Sequence, residues 1–231
     1  MKLVLLVLST ALAAVAATAV SPSAAGVSAC GSNTAAGGTY GYAGHEADTA
    51  APGVRATITP LVEPRVSTGQ VAAWVGVGGG TSGWLQTGIA SLDGSLFVYV
   101  EVSRNGGAPS TRTLRTDVAV GESHRLAVAV VTDRPDWWRV WFDGATAGAP
   151  IHLPGSTRHW NPMATTESFG VAPQSCNSFA FRFDRVQVLA ASGGAWQPFV
   201  SGHRFLDRGY MLQPVAAGPA FAFVARSAPV R

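Results

Sequence analysis

The chain has 231 residues, 47% hydrophobic and only 13% charged, enough to bury one sizeable core but poor in solvating charge. Its 16 basic residues outnumber 13 acidic ones for a formal net charge of +3, yet the arginines are scattered singly between apolar runs, which argues against nucleic acid as a partner. The 27 glycines and 14 prolines follow no period, which excludes a collagen-like repeat, and the apolar content excludes disorder as the main state.

At the N-terminus, Met1-Lys2 precedes the apolar run Leu3 to Leu8 and an alanine-rich stretch to Val20, the pattern of a secretory signal. Ser9 and Thr10 interrupt the run, so a retained membrane helix is disfavoured and the mature form is expected to be secreted, without a membrane span. Cleavage is expected after Ala19 or Ala29. In the second case Cys30 comes first, and Val27-Ser28-Ala29-Cys30 resembles a bacterial lipobox, which leaves a lipid anchor through Cys30 as the alternative. The remaining cysteine is Cys176, and an exported chain with an even count more often carries a disulfide than free thiols. The reading is then a signal and small-residue spacer over 1–29, a flexible linker over 30–39, a β-sandwich domain over 40–213 and a tail over 214–231, in which Phe221 to Val224 is expected as one edge strand. A monomer is expected.

After the linker, short runs of β-branched and aromatic residues recur between turn signals such as Asp93-Gly94, Asn105-Gly106-Gly107 and Asp143-Gly144. They predict strands near 53–63, 69–79, 83–91, 95–104, 111–119, 124–132, 137–143, 165–171, 178–190 and 203–212. No segment keeps a 3.6-residue period for three turns. The fold class is therefore all-β, an antiparallel sandwich of the jelly-roll, concanavalin-like kind.

Period two assigns each strand residue to a face. Val71, Ala73, Val75 and Val77 point one way, Trp74, Gly76 and Gly78 the other. Leu85 and Ile89 oppose Trp84, Gln86 and Gly88, and the aliphatics of 96–102 oppose Phe97, Tyr99 and Glu101. Aromatics beside glycines and isolated polar groups form a floor on which a polymer can lie, so this face is read as a ligand cleft. Along 178–190, Phe179, Phe181 and Phe183 share a parity that Val186 and Val188 break, which predicts a bulge near Asp184-Arg185. Trp137 and Trp141 form a second aromatic stripe with no assigned purpose.

No Gly-x-Ser-x-Gly, His-Glu-x-x-His or phosphate loop occurs, and His45, His124, His152, His159 and His203 stand at no metal-ligand spacing, so neither a metal nor another cofactor is expected. Acid/base chemistry falls to the five glutamates Glu46, Glu63, Glu101, Glu122 and Glu167. No strand carries two acids on the cleft face, which argues against paired-carboxylate sugar hydrolysis.

Trp74-Val75-Gly76-Val77-Gly78-Gly79 followed by Trp84-Leu85-Gln86-Thr87-Gly88-Ile89 resembles the glutamic peptidase (eqolisin) family, with its Trp-Val-Gly-Ile-Asp-Gly and Leu-Gln-Thr-Gly strands. Tyr99-Val100-Glu101 is similar to the family's aromatic-rich strand with a cleft glutamate, and Thr166-Glu167-Ser168-Phe169 to its Ala-Glu-Trp segment. The resemblance implies a two-sheet sandwich, a peptide or protein substrate, no cofactor, and a catalytic pair of Gln86 and Glu167, with Trp74, Trp84, Phe97, Tyr99 and Glu101 along the cleft. The chain departs from the family at Gly78, which stands in place of an acid, and at Ser168, which stands in place of a tryptophan. From the residues alone the alternative is a lectin-like module that holds polysaccharide or peptide on the same face without catalysis.

Overall fold

A computed structural model describes residues 30–31, 33–35, 38–78, 82–170, 176–191 and 194–228; the expected signal segment at 1–29 lies outside them. Two antiparallel sheets stack face to face. The first, eight-stranded, runs β1 (Asn33–Ala35), β2 (Gly38–Ala47), β12 (Pro162–Gly170), β4 (Gln70–Gly78), β5 (Gly83–Ser91), β6 (Leu96–Arg104) and β7 (Ser110–Arg115), with β15 (Ser201–Leu206) also paired to β2. The second, nine-stranded, runs β10 (Ala145–Thr146), β9 (Arg134–Phe142), β8 (His124–Val131), β3 (Gly53–Pro60), β13 (Ala180–Leu189), β17 (Ala222–Ser227) and β16 (Tyr210–Ala216), with β11 (Ile151–His152) on β9 and β14 (Trp196–Pro198) on β13. Among the described residues no helix is long and apolar enough to cross a membrane.

The aliphatic faces read from the sequence meet between the sheets. Val71, Ala73, Val75 and Val77 of β4, Leu85 and Ile89 of β5 and Val98 of β6 pack with Val54, Ile58, Leu126, Val128, Trp138, Phe181 and Phe183 of the opposing sheet. At roughly 1.5–3 kcal/mol per fully buried large apolar side chain, this layer is the main source of stability. The buried Trp138 indole is satisfied by donating to Ser156 Oγ at 2.7 Å. The bulge in β13 falls where the parity breaks, between Asp184 and Gln187, and Arg185 takes a positive φ of 50° there.

Four features differ from the reading of the chain. First, β2 has no counterpart among the predicted strands, because Gly-Thr-Tyr-Gly-Tyr-Ala-Gly has no aliphatic run and only two alternating tyrosines. Its glycines permit close approach: a Cβ at Gly44 would collide with Thr165 of β12, and one at Gly41 with the Tyr210 ring. Second, the segment read as a linker holds Cys30, which is bonded to Cys176 across 146 positions of sequence, and a strand whose Asn33 pairs Tyr40. The Cys30 sulfur is therefore engaged in a disulfide and not available for lipid. Third, the predicted strand 203–212 is two strands in different sheets. The chain turns at Asp207-Arg208-Gly209, where Gly209 has φ +85° and a Cβ would strike Cys30 Sγ. Fourth, the strand expected at the edge near 221–224 is interior: β17 lies between β13 and β16 and buries Phe223 and Ala225.

Candidate active site

Because β12 inserts between β2 and β4, the outward face of the first sheet becomes a grid of aligned rows. Tyr42, Glu167, Ala72, Ala90 and Phe97 form one row; Gly44, Thr165, Trp74, Gly88 and Tyr99 form the next; Glu46, Met163, Gly76, Gln86 and Glu101 form the third. A cavity of about 1050 Å³ opens over the grid, lined among others by Tyr40, Tyr42, Trp74, Trp84, Gln86, Glu101, Glu167 and Phe205. Gly76 and Gly88 make its floor. A Cβ at Gly76 would lie 2.8 Å from the Gln86 Cβ, and one at Gly88 2.7 Å from the Trp74 Cβ, so both glycines leave room for their neighbours across the strands.

Glu101 organises one end. Its Oε1 accepts from Trp84 Nε1 at 3.0 Å and from Gln86 Nε2 at 3.3 Å, and its Oε2 accepts from Thr111 Oγ1 at 2.8 Å. The second Gln86 N–H is donated to Tyr99 Oη at 3.1 Å. An ionised carboxylate only accepts, so the nitrogen end of the Gln86 amide is the one turned to Glu101. Gln86 is 6% exposed and Tyr99 4%. Burial, then the charges of Glu167 and Glu101, push the Tyr99 phenol well above its usual range and keep it protonated.

Glu167 lies at the other end. Its carboxyl opens to the cavity but is surrounded by protein on most sides; burial first, and repulsion from Glu101 second, raise it from 4.5 to about 7, while Trp74 and Gln70 favour the ionised form. The Trp74 Nε1–H is buried, close enough to Glu167 to ease its charge. Among the described residues no group of three or more His, Cys, Asp or Glu could hold a metal ion.

Of the residues singled out in the sequence, Trp74, Trp84, Gln86, Glu101 and Glu167 line the one cavity. Phe97 and Tyr99 do not: they pack with Trp74, Ala72 and Ala90 beneath it, and Tyr99 reaches the site through its hydroxyl bond to Gln86. Gln86 and Glu167 share a sheet and a face but not a row. They are two strands and four residues apart, roughly 10 Å across and 13 Å along the sheet at backbone level by ordinary strand spacing. Tyr40, Tyr42 and Phe205 lie on β2 and β15, which the sequence does not mark as cleft strands beyond the Tyr40-Gly41-Tyr42 alternation, whereas Gln70 shares the outward parity of Trp74 on β4 and is legible from it. His45 points away, its ring against Phe221 and Phe223, and burial lowers it to about 4.

No protein-family model and no curated protein matches the sequence. Solved structures do match the fold. Scytalido-glutamic peptidase with a peptide-based transition-state analogue superposes with a TM-score of 0.57 at 15% identity, covering 83% of this chain and 100% of that one. The fold is that of the glutamic peptidases. SCP-B, a member of the eqolisin family in complex with the tripeptide Ala-Ile-His, superposes on this glutamic peptidase fold with a TM-score of 0.51, again at 15% identity and with the same coverage.

Proposed function

We propose that the protein hydrolyses peptide bonds without a metal, with Glu167 as the acid/base group and Gln86 as the donor to the developing oxyanion. The observation that carries this reading is a carboxyl raised to about 7 in the same open cavity as a buried, oriented glutamine amide. Ionised Glu167 takes a proton from water as the water attacks the scissile carbonyl, then returns it to the leaving amine. The carbonyl oxygen becomes an oxyanion that accepts an N–H from Gln86, whose 3.3 Å bond to Glu101 is the weaker of its two and the more readily exchanged. The reading places the scissile bond over Trp74, in the row between Gln86 and Glu167. Tyr40, Tyr42, Trp84 and Phe205 then hold the flanking peptide. The glutamic peptidase fold and the peptide ligands named for its structural neighbours support this assignment. The disulfide supports an extracellular setting.

A second reading, a binding module without catalysis, is favoured by two observations: both Gln86 N–H groups already have partners, neither of them Glu167, and the two residues stand roughly 10 Å across and 13 Å along the sheet from each other at backbone level. Peptide and polysaccharide digestion by the mature protein, in chelator and across pH 4–9, separates the two. Peptidase action predicts cleavage that rises as Glu167 ionises near pH 7, is lost in Glu167→Gln and is reduced in Gln86→Ala. Unchanged cleavage by Glu167→Gln removes the assignment. A parent inactive at every pH that still binds a polymer through Trp74 supports the second reading.

A further inference from the structure

The arginines that are scattered in sequence are brought together on the outer face of the second sheet, away from the cleft. Arg55 of β3, Arg125 of β8 and Arg185 at the β13 bulge line one pocket of about 300 Å³. Among the described residues none of the three forms an ion pair. The pocket's one carboxylate, Asp143, has both oxygens occupied, Oδ2 by His124 Nδ1 at 2.8 Å and Oδ1 by the Arg125 backbone N–H at 2.8 Å. Arg55 is held in place: its Nε donates to Gln187 Oε1 at 2.9 Å and its guanidinium carbon lies 4.4 Å from the Trp196 ring centroid. Among the described residues its terminal nitrogens have no hydrogen-bond partner. Burial first, and the nearby positive charge of Arg125 second, lower the Arg55 pKa, which marks two guanidinium groups close together.

A second hollow of about 360 Å³ shares Arg55 and Arg125 and is walled by Trp141 and Trp196. Trp141, Ala127, Arg55 and Gln187 form one row of the sheet, so the small Ala127 leaves a trough between the Trp141 ring and the arginines. Guanidinium pairs recognise planar or tetrahedral oxyanions, and flat aromatic walls fit the apolar face of a sugar ring. We propose that this face is a binding site for a saccharide bearing a sulfate or carboxylate group, with the anion between Arg55 and Arg125, Arg55 held by Trp196, and the sugar ring against Trp141. Such a site would hold the protein on an acidic polysaccharide while the cleft on the opposite sheet stays open.

The test is isothermal titration of the disulfide-intact protein at low salt with a sulfated disaccharide, a uronic-acid disaccharide, a neutral disaccharide and inorganic sulfate. Binding of either acidic sugar, with weaker binding of the neutral sugar and of sulfate alone, is the expected result. Arg55→Ala and Arg125→Ala should each weaken it about 10- to 100-fold, the range for one charge-assisted contact. Because Arg125 is exposed, its variant keeps the test decisive if Arg55→Ala folds poorly. Added salt should weaken binding in the parent. Sulfate alone binding as tightly as the acidic sugars, equal binding of the neutral sugar, no binding of either acidic sugar, or acidic-sugar binding unchanged in Arg125→Ala each overturn the proposal. The cleft variants Glu167→Gln and Gln86→Ala should leave this binding unaltered.

Discussion

The raised Glu167 carboxyl makes a prediction about stability that needs no substrate. A move from 4.5 to about 7 corresponds to roughly 3 kcal/mol against the ionised form at this position. The folded protein holds the Glu167 proton more tightly than the unfolded chain, so this contribution is fully present below about pH 4.5 and is lost as pH rises through about 7. Glu167→Gln keeps the shape and removes the titration. The variant should match the parent near pH 4 and exceed it at pH 8 by as much as roughly 3 kcal/mol. Urea unfolding of both proteins at pH 4, 6 and 8, with the disulfide intact, measures the difference directly. A gap between variant and parent that fails to grow from pH 4 to pH 8 would refute the placement of a buried, protonated carboxyl here. Glu101→Gln removes the repulsion but not the burial, which is the larger cause, so carboxyl-carbon NMR should find Glu167 below about 7 yet still above 4.5 in that variant.

Replacing Cys30 and Cys176 together by Ala opens a link spanning 146 positions and should cost roughly 3–5 kcal/mol, read as a lower denaturant midpoint. Gly88→Ala places a methyl against the Ala73 carbonyl and 2.7 Å from the Trp74 Cβ; it should destabilise by about 1–3 kcal/mol and shift the Trp74 fluorescence, whereas an unchanged melting curve would show that the cleft floor yields freely. Tyr99→Phe deletes the acceptor for one Gln86 N–H and should cost about 1–2 kcal/mol in urea unfolding while lowering peptide turnover, if turnover is found, more than it raises KM.

Much of the cleft is legible in the chain because strand geometry is local. A period of two sends Val75 inward and Trp74 outward whatever the neighbouring strand, and so it also separates Leu85 from Gln86 and Val100 from Glu101. The same parity break along Phe183 to Val186 announces the β13 bulge. Residues between Trp74 and Glu101 are joined by short hairpins, so their adjacency also follows from the sequence. Long-range pairing has no such local sign. Nothing near Glu167 specifies that β12 lies beside β4, yet that pairing buries its carboxyl beside Trp74 and Gln70, within the field of Glu101 in the same cavity, and raises it to about 7. The glycine-rich β2 carries no aliphatic run, and its role as a cleft wall depends on Gly44, which lets it press against Thr165. Arg55, Arg125 and Arg185 each look isolated in the chain. Pairing of β3 with β8 and β13 makes them neighbours, because the burial that drives those pairings acts on the opposite, apolar face and is indifferent to the charges gathered on the outer one.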